Sequence, residues 1–378
     1  MRGGGESDVT SVAMHVDQLF YRIPGGIGTY VRRLLPALRT SDPSLDLSVF
    51  HARFGDRIPN ELDGIRRVQL PRGIRTLYPM WTWLGRPALP AELRRADVVH
   101  APSPVAIPPV SGRQKLVVTV HDLAFRRYPR AYPPAWRYLH AAGFARALRT
   151  ADAVITVSRS TASDLADVGH LDPNRIHVVP LAGSLDVGTG DVAPVLDRLR
   201  IPRPYVLFVG TFEPRKNLVR LIRAYRSIAE KVPHALVLAG PAGWDSKAIR
   251  QELSVQGPGN VQITGHLPEA DLDALYRGAD AFVYPSLYEG FGLPVLDAMA
   301  RGIPVITSNT SSLPELTGDA AVSVTPTSTG ELADALEHLL TDEGERKRLA
   351  ETGRERALDY TWERTATSTL EVYEKVAS

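Results

Sequence analysis

Cysteine is absent from the 378 residues of this sequence. Its absence excludes disulfide bonds, iron–sulfur clusters and thiol nucleophiles, and it fits a reducing compartment. No apolar run approaches the roughly 18 residues of a membrane span, and residues 1–8 lack the apolar stretch of a signal peptide. We therefore expect a cytoplasmic protein whose first residues are a frayed leader.

Patterns that bind metals or cofactors are also lacking. No cluster of His, Asp and Glu has convincing metal-ligand spacing, and neither a P-loop lysine nor a Gly-x-Ser-x-Gly motif occurs. Asp271 and Asp273 form an Asp-x-Asp pair, but they open a predicted helix, where acidic residues favour the dipole. We predict no metal site and no cofactor.

The net charge of +2 hides an asymmetry, because residues 1–190 carry about +8 and the remainder about −6. The first half either meets an anionic partner or reflects drift in an arginine-rich proteome, and both interpretations stay open. Nucleic acid is not expected, since the overall charge is near neutral and no recognition motif is visible.

Short runs rich in valine and isoleucine alternate with longer amphipathic stretches along the chain. Several runs are apolar throughout, as parallel strands covered on both faces are. The predicted strands lie at 9–16, 45–52, 96–102, 115–122, 151–158, 176–182, 205–211, 235–241, 261–266, 281–286, 304–309 and 320–324. The predicted helices include 27–39, 134–149, 217–230, 268–278 and 294–301, and the chain is predicted to be helical after residue 328. Six strands in each half predict two doubly wound α/β domains, which separate within the aperiodic segment 183–204.

Ligands of such sheets bind beyond the carboxyl ends of the strands, so motifs at those ends carry the most weight. The first is PGGIGTY, where Gly25 and Gly26 would let the backbone approach a ligand and the next helix would offer N–H groups to an anion. A tight strand-to-helix turn explains the same residues, and both interpretations stay open.

Two motifs of the second half carry clearer chemistry. In GTFEPRKNL, Arg215 and Lys216 precede a helix that Asn217 could cap, and two cations at a helix N-terminus suit a pyrophosphate. In LYEGFGLPVLDA, Glu289 and Asp297 flank a glycine loop whose amides open another helix. Carboxylates beside an anion site suit a ligand that carries both phosphate and sugar hydroxyls.

The first half adds a histidine and a basic aromatic region. His121 ends a strand in TVHDLAF at the edge where ligands bind, and Asp122 is expected to orient the loop or the acceptor. Trp81 and Trp83 lie beside arginines, in a stretch that could contact a membrane surface, line an acceptor groove or pack in the core. Further arginines fit either a solvated face or contact with an anionic acceptor or lipid. They are Arg126, Arg127, Arg130, Arg137, Arg146 and Arg149.

These motifs together resemble the retaining glycosyltransferases of family 4, which have the GT-B fold. The family hallmark is a Glu, seven residues and a second Glu; here it reads Glu289 and Asp297, one methylene shorter. The resemblance covers essentially the whole chain. It implies two Rossmann-like domains facing each other across a cleft, with the acceptor bound by residues 1–185, the nucleotide-sugar by residues 186–360, and the helix 361–378 packing back on the first domain.

The resemblance also implies roles for side chains. Glu289 binds the donor hexose, Asp297 binds the ribose, and the basic pair holds the pyrophosphate, while His121 lies by the donor sugar. The predicted catalytic residues are His121, Arg215, Lys216 and Glu289. The predicted donor-binding residues are Gly25, Gly26, Arg215, Lys216, Glu289, Phe291, Gly292, Leu293 and Asp297.

The branch that the motifs most resemble contains many users of GDP-mannose that act on lipid-linked or glycan acceptors. We therefore predict a retaining, metal-independent hexose transfer in the cytoplasm, with peripheral attachment to an anionic membrane surface. No carboxylate of the motifs is an obvious nucleophile, which favours front-face substitution. The alternatives are a UDP-glucose-type transferase, a GT-B epimerase or phosphorylase, and a non-catalytic subunit that binds sugar nucleotides.

Overall fold

The chain forms two compact units, of which the first contains residues 1–181 and 361–378 and the second contains residues 182–360. The sequence puts this boundary at residue 185, four residues later. The computed structural model describes residues 10–21, 25–55, 58–129, 132, 134–169, 171–183, 186–243, 246–255 and 257–378. Among the described helices, none is both long enough and apolar enough to cross a bilayer.

A parallel sheet of seven described strands forms the centre of the first unit, in the order β3-β2-β1-β4-β5-β6-β7. The strands are β1 Ser11–His15, β2 Asp46–His51, β3 Arg66–Gln69, β4 Val98–Ala101, β5 Lys115–Val120, β6 Ala153–Thr156 and β7 Ile176–Val178. The helices are α1 Gly25–Ser41, α2 Ile74–Pro79, α3 Ala124–Arg127, α4 Pro134–Thr150 and α5 Arg159–Gly169, with the terminal helix Trp362–Ala377 described below. The inner strands are buried on both faces, which explains their apolar runs.

The second unit repeats this plan with six described parallel strands, in the order β10-β9-β8-β11-β12-β13. The strands are β8 Tyr205–Val209, β9 Ala235–Ala239, β10 Val261–Gly265, β11 Ala281–Tyr284, β12 Val305–Ser308 and β13 Val322–Val324. The helices are α6 Ala193–Arg198, α7 Leu218–Ile228, α8 Ser246–Ser254, α9 Glu269–Arg277, α10 Leu293–Ala300, α11 Leu313–Thr317, α12 Thr329–Thr341 and α13 Glu343–Ala357. The predicted pair of Rossmann-like α/β domains is confirmed.

Strand β3 and helix α6 depart from the sequence prediction. Strand β3 was not predicted, because its sequence RRVQ is basic and mostly exposed at the edge of the sheet, so it has no apolar run. The segment 183–204 was read as aperiodic, yet it contains α6, a helix too short to show a 3.6-residue period and buried mainly through Leu196.

The terminal helix, α14 Trp362–Ala377, belongs to the first unit and packs along α1. Its Tyr373 hydroxyl lies 2.6 Å from Nδ1 of His100, and Nε2 of His100 lies 2.8 Å from the Thr119 hydroxyl. The Thr119 hydroxyl in turn lies 3.2 Å from that of Tyr30. This buried polar chain joins α14, β4, β5 and α1, and burial lowers the pKa of His100 to about 3.

Candidate functional site

The basic motif of the second unit begins where β8 ends at the carboxyl edge of its sheet. Pro214–Lys216 form a single 3-10 turn, and Asn217 follows with a left-handed φ of 64° before α7 begins. The sequence suggested that the Asn217 side chain caps α7, but it does not. Its Nδ2 instead donates to the carbonyls of Pro285 and Pro326 at 3.0 and 2.7 Å, because the left-handed backbone turns the amide toward these loops.

Glu289 lies between the two predicted cations. Its Oε1 is 2.6 Å from Lys216 Nζ, and its Oε2 is 2.8 Å from Arg215 Nη1. All three side chains are largely buried. Lys216 also donates to the hydroxyl of Tyr284, whose ring centroid is 4.8 Å from the ammonium. The two motifs, separated in sequence by about 70 residues, therefore form one ion cluster.

The charges of this cluster are set by opposing effects. Burial would raise the pKa of Glu289, but the neighbouring Arg215 and Lys216 outweigh it and hold the pKa at about 2. Burial, followed by the charge of Arg215, lowers the pKa of Lys216 in spite of its bond to Glu289. Glu289 is thus an ionised acceptor at any physiological pH.

A second carboxylate, which the sequence analysis did not select, completes the cluster. Arg215 Nε lies 3.1 Å from Glu213 Oε2, so two carboxylates face two cations and the cluster is formally neutral. An arriving anion must therefore compete with Glu213 or Glu289 for the guanidinium. The signal for Glu213 was its place in the same strand-end motif, one residue before Pro214.

The loop after Glu289 presents backbone donors. Gly292 has φ 117°, and a Cβ there would come within 2.9 Å of Leu313, so only glycine fits this turn. Within the part of the chain that is described, no protein acceptor takes the N–H groups of Phe291, Gly292 or Leu293 at the start of α10. An anion placed there would meet unpaired donors and the positive end of the helix dipole.

Two serines after β12 hold this loop in place, and the sequence analysis missed both. Ser312 Oγ donates to the carbonyls of Glu289 and Phe291 at 3.0 and 2.8 Å, and Ser311 Oγ accepts from the Glu289 N–H at 2.9 Å. Their signal was position, since they follow a strand at the ligand-binding edge.

Asp297 lies deeper than the sequence suggested. The helix predicted from residue 294 has Asp297 in its first turn, whereas α10 begins at Leu293 and Asp297 begins its second turn. The residue is only 2% exposed. Its Oδ1 is 3.3 Å from the point where a Cβ of Gly183 would stand. The predicted contact between Asp297 and a ribose stays a prediction.

His121 follows β5 at the carboxyl edge of the first sheet. Its Nε2 must carry the proton, because it donates to the carbonyl of Pro102 at 2.9 Å. The ring meets Tyr30 edge-on with 5.0 Å between centroids. Burial lowers the pKa of His121 to about 4, so the neutral ring leaves Nδ1 as an acceptor. Asp122 orients the loop as predicted, since its Oδ1 accepts from the Ala124 N–H at 2.9 Å.

Both units of the chain match known families of enzymes. The model of the family called glycosyl transferases group 1 matches residues 198–356, and that of glycosyltransferase family 4 matches residues 24–182. O-antigen chain mannosyltransferase B of Escherichia coli is 31% identical over 373 residues, which cover 92% of this chain and 95% of that protein. This chain belongs to the family 4 glycosyltransferases.

Two further similarities concern other members and the fold. The MMP alpha-(1->4)-mannosyltransferase of Mycolicibacterium hassiacum is 33% identical over 237 residues, 61% of this glycosyltransferase and 56% of that protein. Sucrose-phosphate synthase from Thermosynechococcus elongatus superposes with a TM-score of 0.73 at 22% identity, covering 97% of this chain and 98% of that one. The latter similarity shows the GT-B fold.

The remaining predicted positions of the glycosyltransferase divide into two groups. Gly25, with φ 63°, and Gly26 open α1 two residues before its predicted start, and both are exposed; their contact with a donor stays a prediction. Asp273 does more than favour a helix dipole, because it forms buried ion pairs at 2.8 Å with Arg277 and Arg301. Among the described residues, no group of three or more potential ligands could hold a metal ion.

Proposed function

We propose that this glycosyltransferase transfers mannose from GDP-mannose to a glycan or lipid-linked acceptor, with retention of configuration and without a metal. The observation that carries the proposal is the ionised Glu289, held by Arg215 and Lys216 beside the unpaired amides of α10. A sugar diphosphate offers hydroxyls to the carboxylate and negative charge to the cations and amides. The two mannosyltransferase relatives support mannose as the sugar.

The state of Glu289 argues for front-face substitution. A carboxylate that is bound by two cations and has a pKa of about 2 is a weak nucleophile, so a covalent glycosyl intermediate on it is unfavourable. The acceptor hydroxyl would instead attack the anomeric carbon on the same face from which the diphosphate leaves. The bond from that carbon to the diphosphate oxygen breaks, and the hydroxyl proton passes to this departing oxygen. Catalysis then depends on positioning and on stabilisation of the leaving charge by Arg215, Lys216 and the loop amides.

Chelation provides a first prediction. Because two cations and a helix N-terminus already face the proposed diphosphate position, we expect transfer to continue at an unchanged rate in excess EDTA. The measurement is the initial rate with and without chelator, after dialysis. Loss of activity on chelation, with recovery on adding Mg²⁺ or Mn²⁺, would overturn the metal-free mechanism.

The pH dependence provides a second prediction. The ordinary pKa of histidine is about 6.5, whereas that of His121 is about 4, so its ring should stay neutral from about pH 5 to 8. We expect kcat/KM to show no inflection from His121 in that range and to fall only as the pH drops through about 4. An inflection near 6.5 that disappears in His121→Asn would contradict this assignment.

The donor is tested by thermal shift with GDP-mannose, UDP-glucose and the free nucleotides. A ligand present at 100 times its Kd stabilises the folded state by about 2.7 kcal/mol, which raises the melting midpoint by several degrees. We expect the largest shift of the melting midpoint with GDP-mannose. In the absence of an acceptor, we also expect slow hydrolysis of GDP-mannose, in which water takes the place of the acceptor and mannose is released. A larger shift with UDP-glucose would contradict this proposal and indicate that UDP-glucose is the donor.

A further inference from the structure

A short helical turn exposes two large apolar side chains on the first unit. Met80–Leu84 extend α2 as a π-helical turn, in which Trp81 is buried and donates its indole N–H to the Pro87 carbonyl at 3.1 Å. Trp83 and Leu84 point outward and are 62% and 67% exposed. Of the two tryptophans, Trp81 therefore packs in the core, whereas Trp83 and Leu84 form an exposed apolar pair.

Arg146 of α4 lies beside this apolar pair, and Arg149 follows it by about one turn on the same helix. Gly85 follows Leu84, and a Cβ at Gly85 would stand 3.5 Å from Nη1 of Arg146. Arg146 Nε is buried without a hydrogen-bond partner, and no described carboxylate lies within ion-pair distance of its guanidinium. Burial, followed by the positive charge of Arg149, lowers the pKa of Arg146.

Arg146 lies near the C-terminus of α4, but its side chain does not bind the free carbonyls of that helix end. Arg175 serves that end of α4, because its Nη2 donates to the carbonyls of Leu148 and Ala151. No described carbonyl or carboxylate accepts from the side chain of Arg146. A guanidinium that is partly desolvated and unpaired is unfavourable until an anion completes it.

Two other arginines of this region already contact protein groups. Arg127 is neutralised by Asp164, with Asp167 at 3.8 Å, and Arg126 lies over the Phe144 ring at 5.2 Å. Arg130 lies outside the described residues. Arg146, whose buried Nε has no hydrogen-bond partner, and the exposed Arg149 therefore remain available to an external anion.

We propose that this face, formed by Trp83, Leu84, Arg146 and Arg149, binds an anionic lipid surface. The guanidinium groups would bind headgroup phosphates, as Arg binds them well, while the indole and leucine enter the interface between headgroups and acyl chains. The inference extends the proposed function to a membrane-borne acceptor. Binding is measured without donor or acceptor, so its failure would not affect the proposed reaction.

The test is co-sedimentation with vesicles of phosphatidylcholine alone or mixed with phosphatidylglycerol. We expect binding to the mixed vesicles at low salt, poor binding to neutral vesicles, and release at 1 M salt, where the Debye length falls to about 3 Å. Arg146→Ser/Arg149→Ser should weaken binding roughly 30-fold, which corresponds to about 1 kcal/mol for each basic residue near an anionic leaflet. Trp83→Ser/Leu84→Ser should weaken binding as well. Because both residues are exposed, the substitutions should not disturb the core.

The matched control is Arg66→Ser/Arg67→Ser, which removes the same charge from the exposed edge strand β3, at the far end of the sheet from β5 and β6. Equal weakening by this control would mean that net charge, not this face, binds the vesicles. Binding that is independent of salt and lipid charge, or a dimer in gel filtration that dissociates in Trp83→Ser/Leu84→Ser, would overturn the proposal. An unchanged melting midpoint ensures that any loss reflects binding.

Discussion

Glu289→Gln should reduce sugar transfer by about 10- to 150-fold or more, while binding of free GDP is kept or strengthened. This range follows from the loss of one charged hydrogen bond to the sugar, which is worth about 1.5–3 kcal/mol, and a bond that tightens in the transition state costs more. The variant also removes the negative charge that Arg215 and Lys216 now share. A diphosphate then competes with one carboxylate fewer for these cations, since only Glu213 remains.

Steady-state kinetics and calorimetry with GDP measure these two effects separately. The matched control is Glu252→Gln, since Glu252 is another carboxylate of the second unit held by two arginines, with Arg223 at 2.7 Å and Arg226 at 3.7 Å. It should leave transfer unchanged. If Glu289→Gln abolished the binding of GDP, Glu289 would contact the nucleotide rather than the sugar.

Lys216→Met should weaken the binding of GDP and of the donor by about 10- to 150-fold, the range expected for one hydrogen bond to a charged group. Methionine keeps most of the buried aliphatic volume, and Glu289 keeps Arg215 as its partner, so the fold should survive. Calorimetry with GDP and with guanosine provides the measurement. Guanosine, which has no diphosphate, should bind equally to both proteins.

Lys231→Met is the control for the loss of a lysine, because Lys231 forms an exposed ion pair with Glu337 at 2.7 Å. Exposed pairs contribute little, and its effect on GDP binding should be negligible. If Lys216→Met bound GDP normally but failed in transfer, Lys216 would act in the reaction step and not in binding the diphosphate.

The positions of the strands could be predicted from the sequence more readily than the contacts at the site. Buried parallel strands need apolar residues on both faces, so their runs are visible, and only the exposed strand β3 escaped. The motifs after β8 and β11 were identified separately. That Arg215 and Glu289 touch follows from β8 lying next to β11 in the sheet, a pairing that no local pattern records.

Asn217 illustrates why the remaining detail could not be predicted. Its place before α7 suggests a cap, since local propensity describes only neighbours in sequence. Its actual partners, the carbonyls of Pro285 and Pro326, lie 68 and 109 residues away. The same holds for Ser312, which supports a loop more than 20 residues earlier.

The membership of α14 in the first unit bears on how the protein is made. Translation proceeds at about 5–20 residues per second, and domains generally fold as they emerge. The 179 residues between Leu181 and Thr361 therefore delay completion of the first unit by on the order of 10 to 40 seconds. During this time the continuous segment 182–360 can fold on the ribosome, whereas His100 has no hydrogen-bond partner at Nδ1 until Tyr373 has been synthesised. The domain that is synthesised first is thus the last to be closed.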